Sequence, residues 1–281
     1  MALKKLGGLG SDFQGITLTP RPAVSILASM IHTETRGSVF LVRMEHGKVN
    51  ALDAELFEQL GRVLDDAERS AVSSLVLTGS GKAFSAGVDL FRVLDGGSAY
   101  VMEFLPKLSQ GLERLFLFPK PVVAAVNGHA IAGGCVIACA CDYRVMAQGP
   151  FTIGLTELLV GVPFPSAALE MIRFAAAPQH LQEILYTGKT YSPEEGLTRG
   201  LIDEIAPSDL LLDRAYSVAA QMGSIPSKAF QITKRQIRQS SINQIKLRED
   251  LEDSVWKAWN ATETHQIIRS YLERTIGKKK T

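Results

Sequence analysis

Apolar positions recur along the chain at two spacings. Short runs that are apolar throughout, or nearly so, read as strands: "SVFLVRM" (38–44), "SSLVLTG" (73–79), "PVVAAV" (121–126), "YRVMA" (143–147) and "FTIG" (151–154), the last two flanking a Gly-Pro turn. Between the first two, Leu52, Leu56, Phe57, Leu60, Val63, Leu64 and Ala67 fall at helical spacing, with Asp53 placed to cap the helix. Further helices are expected over about 98–117, 133–141, 166–176 and 179–186. Ser192 starts a short one in "SPEEGLTRG", before Gly200. Strands alternating with helices argue for an α/β fold whose strands are mostly parallel and buried.

From about residue 208 the strand pattern stops. Helices are expected near 209–222 and 226–239, then a long one over about 243–273 that carries Leu247, Leu251, Val255, Trp256, Trp259, Ile267, Ile268 and Leu272. So apolar a helical tail should pack on the α/β core or on another subunit. The chain therefore divides into an N-terminal extension (1–34), a core (35–207) and a C-terminal helical region (208–281). The extension holds Lys4, Lys5 and Arg21 against Asp12 and Glu34. That composition fits an organelle transit peptide or a disordered terminus. The first implies the mitochondrial matrix, and a bacterial source would imply the cytoplasm.

With 46% hydrophobic and 21% charged residues, the composition is that of an ordinary soluble protein. A net charge of +1 gives no footprint for nucleic acid, and "GKKKT" at the C-terminus reads as a solvated tail. Cys135, Cys139 and Cys141 are odd in number and tightly clustered, a poor disulfide framework that suggests a reducing compartment. No second Cys or His pair follows at zinc spacing, so they read as small buried hydrophobes and no metal is expected. Residues 121–141 lack a charged side chain, but Pro121, Asn127, Gly128, Gly133 and Gly134 interrupt them. The Asn-Gly turn splits the stretch into a strand and a small-residue helix, which excludes a membrane span.

Two glycine-bearing segments could present backbone N–H groups to a ligand. One is "KAFSAGVDL", with Gly87 before Val88; the other is "AGGC", with Gly133 and Gly134 opening a helix. A helix N-terminus carries unpaired donors and a positive dipole end. Two such donors on one oxygen would form an oxyanion hole, although glycine-rich loops are more often tight turns. No nucleophile elbow, Walker A or dinucleotide-binding pattern occurs. His129 reads as structural. Glu157, a lone acid in "IGLTELLVG", reads either as a surface residue or as a partly buried carboxylate of raised pKa.

In order and spacing, "GKVNALDAEL", "KAFSAGVDL", "PVVAAVNGHAIAGGCVIACACDYRVM", "FTIGLTELLVGVPFP" and "LYTGKTYSPEEGLTRGLIDEI" resemble the crotonase (enoyl-CoA hydratase/isomerase) superfamily. The resemblance spans about 38–240 and implies an α/β spiral of ββα units. Its C-terminal helices would build a homotrimer or a dimer of trimers. It also implies an acyl-CoA thioester substrate and no separate cofactor, since the substrate carries the coenzyme A. By position, the N–H groups of Val88 and Gly133 would hold the thioester oxygen, and Ala86, Asp89, Gly134, Val136 and Phe164 would contact substrate.

The departures from the pattern narrow the reaction. The hydratases use two glutamates; here Val136 fills the first position and Glu157 the second. Valine cannot orient or deprotonate a water. The dienoyl-CoA isomerases carry a further aspartate where this chain has Pro165. A single glutamate is the pattern of the Δ3,Δ2-enoyl-CoA isomerases of fatty-acid β-oxidation, in which one carboxylate suffices for a 1,3-proton shift. The alternatives are a hydratase or another acyl-CoA lyase or hydrolase, and a homologue that binds acyl-CoA without turnover.

Overall fold

The computed structural model describes residues 29–276. Six strands form the larger sheet in the order Ile31–Arg36, Val39–Met44, Ser74–Thr78, Val122–Val126, Tyr143–Ala147 and Glu204–Ala206. The first pair is antiparallel and the rest are parallel. A smaller sheet stacks Ala83–Ser85, His129–Ile131, Ile153–Gly154 and Thr190–Tyr191. One strand of each sheet and then a helix recur along the chain. Ser74–Thr78 and Ala83–Ser85 lead into helix Leu90–Phe116, and Val122–Val126 and His129–Ile131 into helix Gly133–Ala140.

The all-apolar strands are sandwiched, and their period of two sorts them between two cores. Leu75, Leu77, Val122, Ala124 and Val126 point into the larger core with the helix Ala54–Arg69 and both helices of the repeats. Val76, Val123, Ala125 and Val145 point the other way, against Leu211, Ala215, Val218 and Ala219 of helix Leu211–Gly223. That helix, taken from sequence as part of a separate helical region, thus covers the second face of the sheet. Among the described residues no helix is long and apolar enough to cross a membrane.

Several boundaries differ from expectation. A strand at Ile31–Arg36 crosses the expected start of the core at residue 35, because its register against Val39–Met44 completes a hairpin at Gly37. The transit-peptide reading otherwise falls on residues 1–28, outside the described ones. A kink at Gly97 (φ 55°, ψ −148°) divides Leu90–Phe116 into a first segment capped by Asp89, which was not expected, and a second that matches the helix expected at about 98–117. The helix expected over 226–239 runs from Ser227 to Leu247. The long helix expected over 243–273 is two, Glu249–Trp259 and Thr262–Ile276, broken at Asn260. In the smaller sheet Ile153–Gly154 falls within the expected "FTIG", whereas the other three strands carry too few residues for periodicity to reveal them.

Candidate active site

The first glycine-bearing loop is held in place by Asn50, a buried residue in the left-handed region (φ 51°). Its Nδ2 donates to the carbonyls of Ala83 (3.0 Å) and Phe84 (3.3 Å), and its Oδ1 accepts the N–H of His46 (2.9 Å). The Ser85 hydroxyl donates to the Asn50 carbonyl (2.7 Å) and accepts the Gly87 N–H (3.1 Å). Beyond it, Leu52 forms a parallel bridge with Val88. The bridge uses the Gly87 carbonyl (2.8 Å) and the Asp89 N–H (2.9 Å). Alternation along an extended chain then turns the N–H of Val88 to the opposite side, where it has no partner among the described residues.

The second donor comes from the start of helix Gly133–Ala140. Ala132 precedes it with φ 52° and ψ −126°, a conformation costly for a residue with a side chain, by about 1–3 kcal/mol. Its N–H is tied to the Gly154 carbonyl at 2.8 Å. Gly87 lies against this turn: a Cβ there would stand 2.8 Å from the Ala132 Cβ, 2.9 Å from the Ile131 carbonyl oxygen and 3.1 Å from the Gly133 nitrogen. Only a glycine at 87, itself at φ 85°, lets the two loops approach. The Gly133 N–H, like that of Val88, has no partner among the described residues. It also sits at the positive end of the helix dipole.

Glu157 opens a short 3-10 turn, Glu157–Val160, which Gly161 ends in the left-handed conformation. Ile267 of the last helix packs on Gly161, and the Val162 N–H closes the turn on the Glu157 carbonyl at 3.1 Å. Glu157 is 8% exposed, and its carboxyl Oε2 is buried without a hydrogen-bond partner among the described residues. Burial pushes its pKa up to about 8, against a weaker pull from the N–H groups of Glu157 and Thr156. Of the two sequence readings, the structure gives the buried one.

These groups meet in one cavity of about 80 Å³. Its wall includes Ala86, Val88, Gly133, Val136, Glu157 and Phe164, all singled out from sequence. Among the described residues lining it, Glu157 is the only carboxylate. Two expected contacts lie elsewhere. Asp89 caps helix Leu90–Phe116, accepting the N–H groups of Phe91 (3.0 Å) and Arg92 (3.2 Å), and is not in the cavity wall. Gly134 is buried against Ser85, where a Cβ would collide with the Ser85 carbonyl, so it is a packing residue.

Sequence reasoning missed the inner wall, made by Leu108, Leu112, Trp259 and Tyr271. It also missed Asn50 and Ser85, which join their two segments through side chain-to-backbone bonds made 33 to 35 residues away. The three cysteines pack behind the site, all buried and unpaired. Asp142, read as the lead into a strand, pairs with Lys234 (2.7 Å) and Arg238 (3.0 Å), both nearly inaccessible. Arg238 also donates to the carbonyls of Phe116, Ala140 and Cys141, and so ties the ends of both repeat helices to the C-terminal region.

The sequence model of the enoyl-CoA hydratase/isomerase family matches residues 34–278. The mitochondrial enoyl-CoA delta isomerase 1 of Mus musculus is 30% identical over 254 residues, 89% of this chain and 88% of the relative. The carnitinyl-CoA dehydratase of Escherichia coli K12 is 31% identical over 198 residues, 70% of this chain and 75% of the relative. In three dimensions the chain is similar to human mitochondrial delta3-delta2-enoyl-CoA isomerase. Their TM-score is 0.85 at 26% identity, covering 90% of this chain and all of that one.

Proposed function

The chain belongs to the enoyl-CoA hydratase/isomerase family, and within it we propose a Δ3,Δ2-enoyl-CoA isomerase of fatty-acid β-oxidation that needs no cofactor beyond the coenzyme A of its substrate. The observation that carries the reading is the single carboxylate. Glu157 is buried in an apolar cavity, and Val136 lines that cavity where the hydratases have their first glutamate.

The chemistry follows from that arrangement. The thioester oxygen of a 3-enoyl-CoA accepts the N–H groups of Val88 and Gly133. The Glu157 carboxylate then removes a C2 proton, and the C–H electron pair moves into the thioester to give a dienolate. Charge collects on the oxygen that the two N–H groups face. The same carboxylic acid returns its proton at C4, so the double bond moves from C3–C4 to C2–C3. A base with a pKa near 8 suits both halves, since it can take the proton and then give it back near neutral pH. Hydration by the two-glutamate route would need a second carboxylate to hold and deprotonate a water, and Glu157 is the only carboxylate among the described lining residues.

A relative that runs dehydration makes the comparison of reactions worthwhile. Purified protein is given 3-enoyl-CoA and, separately, 2-enoyl-CoA. The proposal expects conversion of the first to 2-trans-enoyl-CoA to outrun hydration of the second, and faster hydration would replace the isomerase reading by the hydratase one.

A further inference from the structure

We infer that Trp259 is the end stop of the acyl cavity and sets the acyl length that the site accepts; the inference rests on the reading of this cavity as an acyl-CoA site. The residues that line the cavity differ in exposure. Ala86, beside the thioester-holding N–H groups, is exposed, whereas Leu108, Leu112 and Trp259 are 4%, 1% and 2% exposed. Coenzyme A is large and charged and must stay at the exposed end. The acyl chain then runs inward past Glu157 toward the buried one.

At that buried end the indole is fixed. Trp259 Nε1 donates to the Pro163 carbonyl at 3.0 Å, which ties it to the loop that carries Glu157 and Phe164. Swinging the ring aside would strand that carbonyl and an indole N–H among apolar atoms. The helix break enforces the pose. Trp259 is the last residue of its helix, Asn260 Nδ2 caps the carbonyl of Trp256 (2.8 Å), and His265 Nε2 donates to the carbonyl of Trp259 (3.1 Å). An unbroken helix over 243–273, as the periodicity suggested, would not require this local clasp. Apart from Glu157 and the hydroxyls of Thr156 and Tyr271 the wall side chains are apolar, so they would add affinity for each methylene that fits and nothing after the indole is reached.

The test is calorimetric titration of the full chain with saturated acyl-CoA thioesters from butanoyl to hexadecanoyl, for the parent, Trp259→Phe and Trp259→Ala. In the parent, affinity is expected to climb about fourfold per methylene and then stop climbing at a defined length. Trp259→Ala should move that break to longer chains, and Trp259→Phe should move it less. Affinity that climbs without a break in the parent, or a break at the same length in Trp259→Ala, overturns the inference. Should Trp259→Ala not fold, the parent profile and Trp259→Phe decide the matter by the same criteria. Saturated thioesters cannot isomerise, so a missing break sinks the end stop alone, whereas no binding at any length sinks the acyl-CoA site itself.

Discussion

Leu52 donates to the carbonyl before Val88 and accepts from the N–H after it, at 2.8 and 2.9 Å, and so leaves the N–H of Val88 itself turned outward. The same leucine packs under the other donor, since a Cβ on Gly133 would stand 2.8 Å from Leu52 Cδ1. One residue of the first strand-to-helix segment thus contacts both halves of the proposed oxyanion site.

Gly87→Ala tests that placement. The new methyl would meet Ala132 and the Ile131 carbonyl below 3 Å at a positive φ, and would push the two N–H groups apart. Loss of one aligned donor costs about 10²–10³ in rate. We expect kcat for 3-enoyl-CoA to fall by that order, with KM changing less. Kinetics across a substrate series check it, alongside a far-ultraviolet spectrum that should match the parent.

The raised pKa of Glu157 sets the pH dependence. Only the carboxylate can take the C2 proton, so kcat/KM should rise with pH to about 8 and then level off. Stability should run the other way. In the unfolded chain the group ionises near 4.3, so between there and about 8 the folded state holds the extra proton and loses stability as pH rises. Urea titrations from pH 4.5 to 9 should show this slope, and Glu157→Gln should flatten it.

The alternation of apolar runs with helical spacing revealed the sandwiched sheet, because buried parallel strands carry their signal in a few adjacent residues. The glycine-bearing segments and Glu157 stood out for a different reason, since loop glycines and a lone acid in apolar surroundings are local patterns, whereas the choice of the Val88 and Gly133 N–H groups came from the family resemblance. Trp259 and Asn50 did not stand out. Trp259 looks like any apolar residue on a helix face until the break at Asn260 aims it at Pro163. Asn50 acts through carbonyls 33 and 34 residues away. Such partnerships depend on the tertiary fold, and no spacing along the chain records them.

Asp142 holds two buried cations, and its removal should be severe. Lys234 and Arg238 are 5% and 3% exposed at their side chains, and Asp142 also accepts the Val122 N–H at 2.8 Å. Breaking such a group by removing one partner costs about 3–5 kcal/mol. Asp142→Ala should lower the urea midpoint accordingly without a change in m-value. A shift below 1 kcal/mol would show that the cluster is not a clasp.

The C-terminal helices leave Ile232, Ile237, Leu247 and Leu251 exposed, at 48%, 57%, 72% and 53%. The trimer implied by the family resemblance would cover apolar surface of this kind. Light scattering at micromolar concentration should give three or six times the 30.5 kDa chain mass. A monomer would contradict this, and Leu247→Glu with Leu251→Glu should dissociate the assembly.

The most direct measurement compares the parent with Glu157→Gln on 3-enoyl-CoA, following the appearance of conjugated 2-trans-enoyl-CoA. Glutamine keeps the size and polarity of the side chain but cannot take a proton. Loss of a general base costs about 10²–10⁴ in rate, so the variant should bind saturated acyl-CoA yet isomerise more slowly by that factor. A variant as active as the parent, or a parent that forms no conjugated product, would contradict the assignment of Glu157 as the single base.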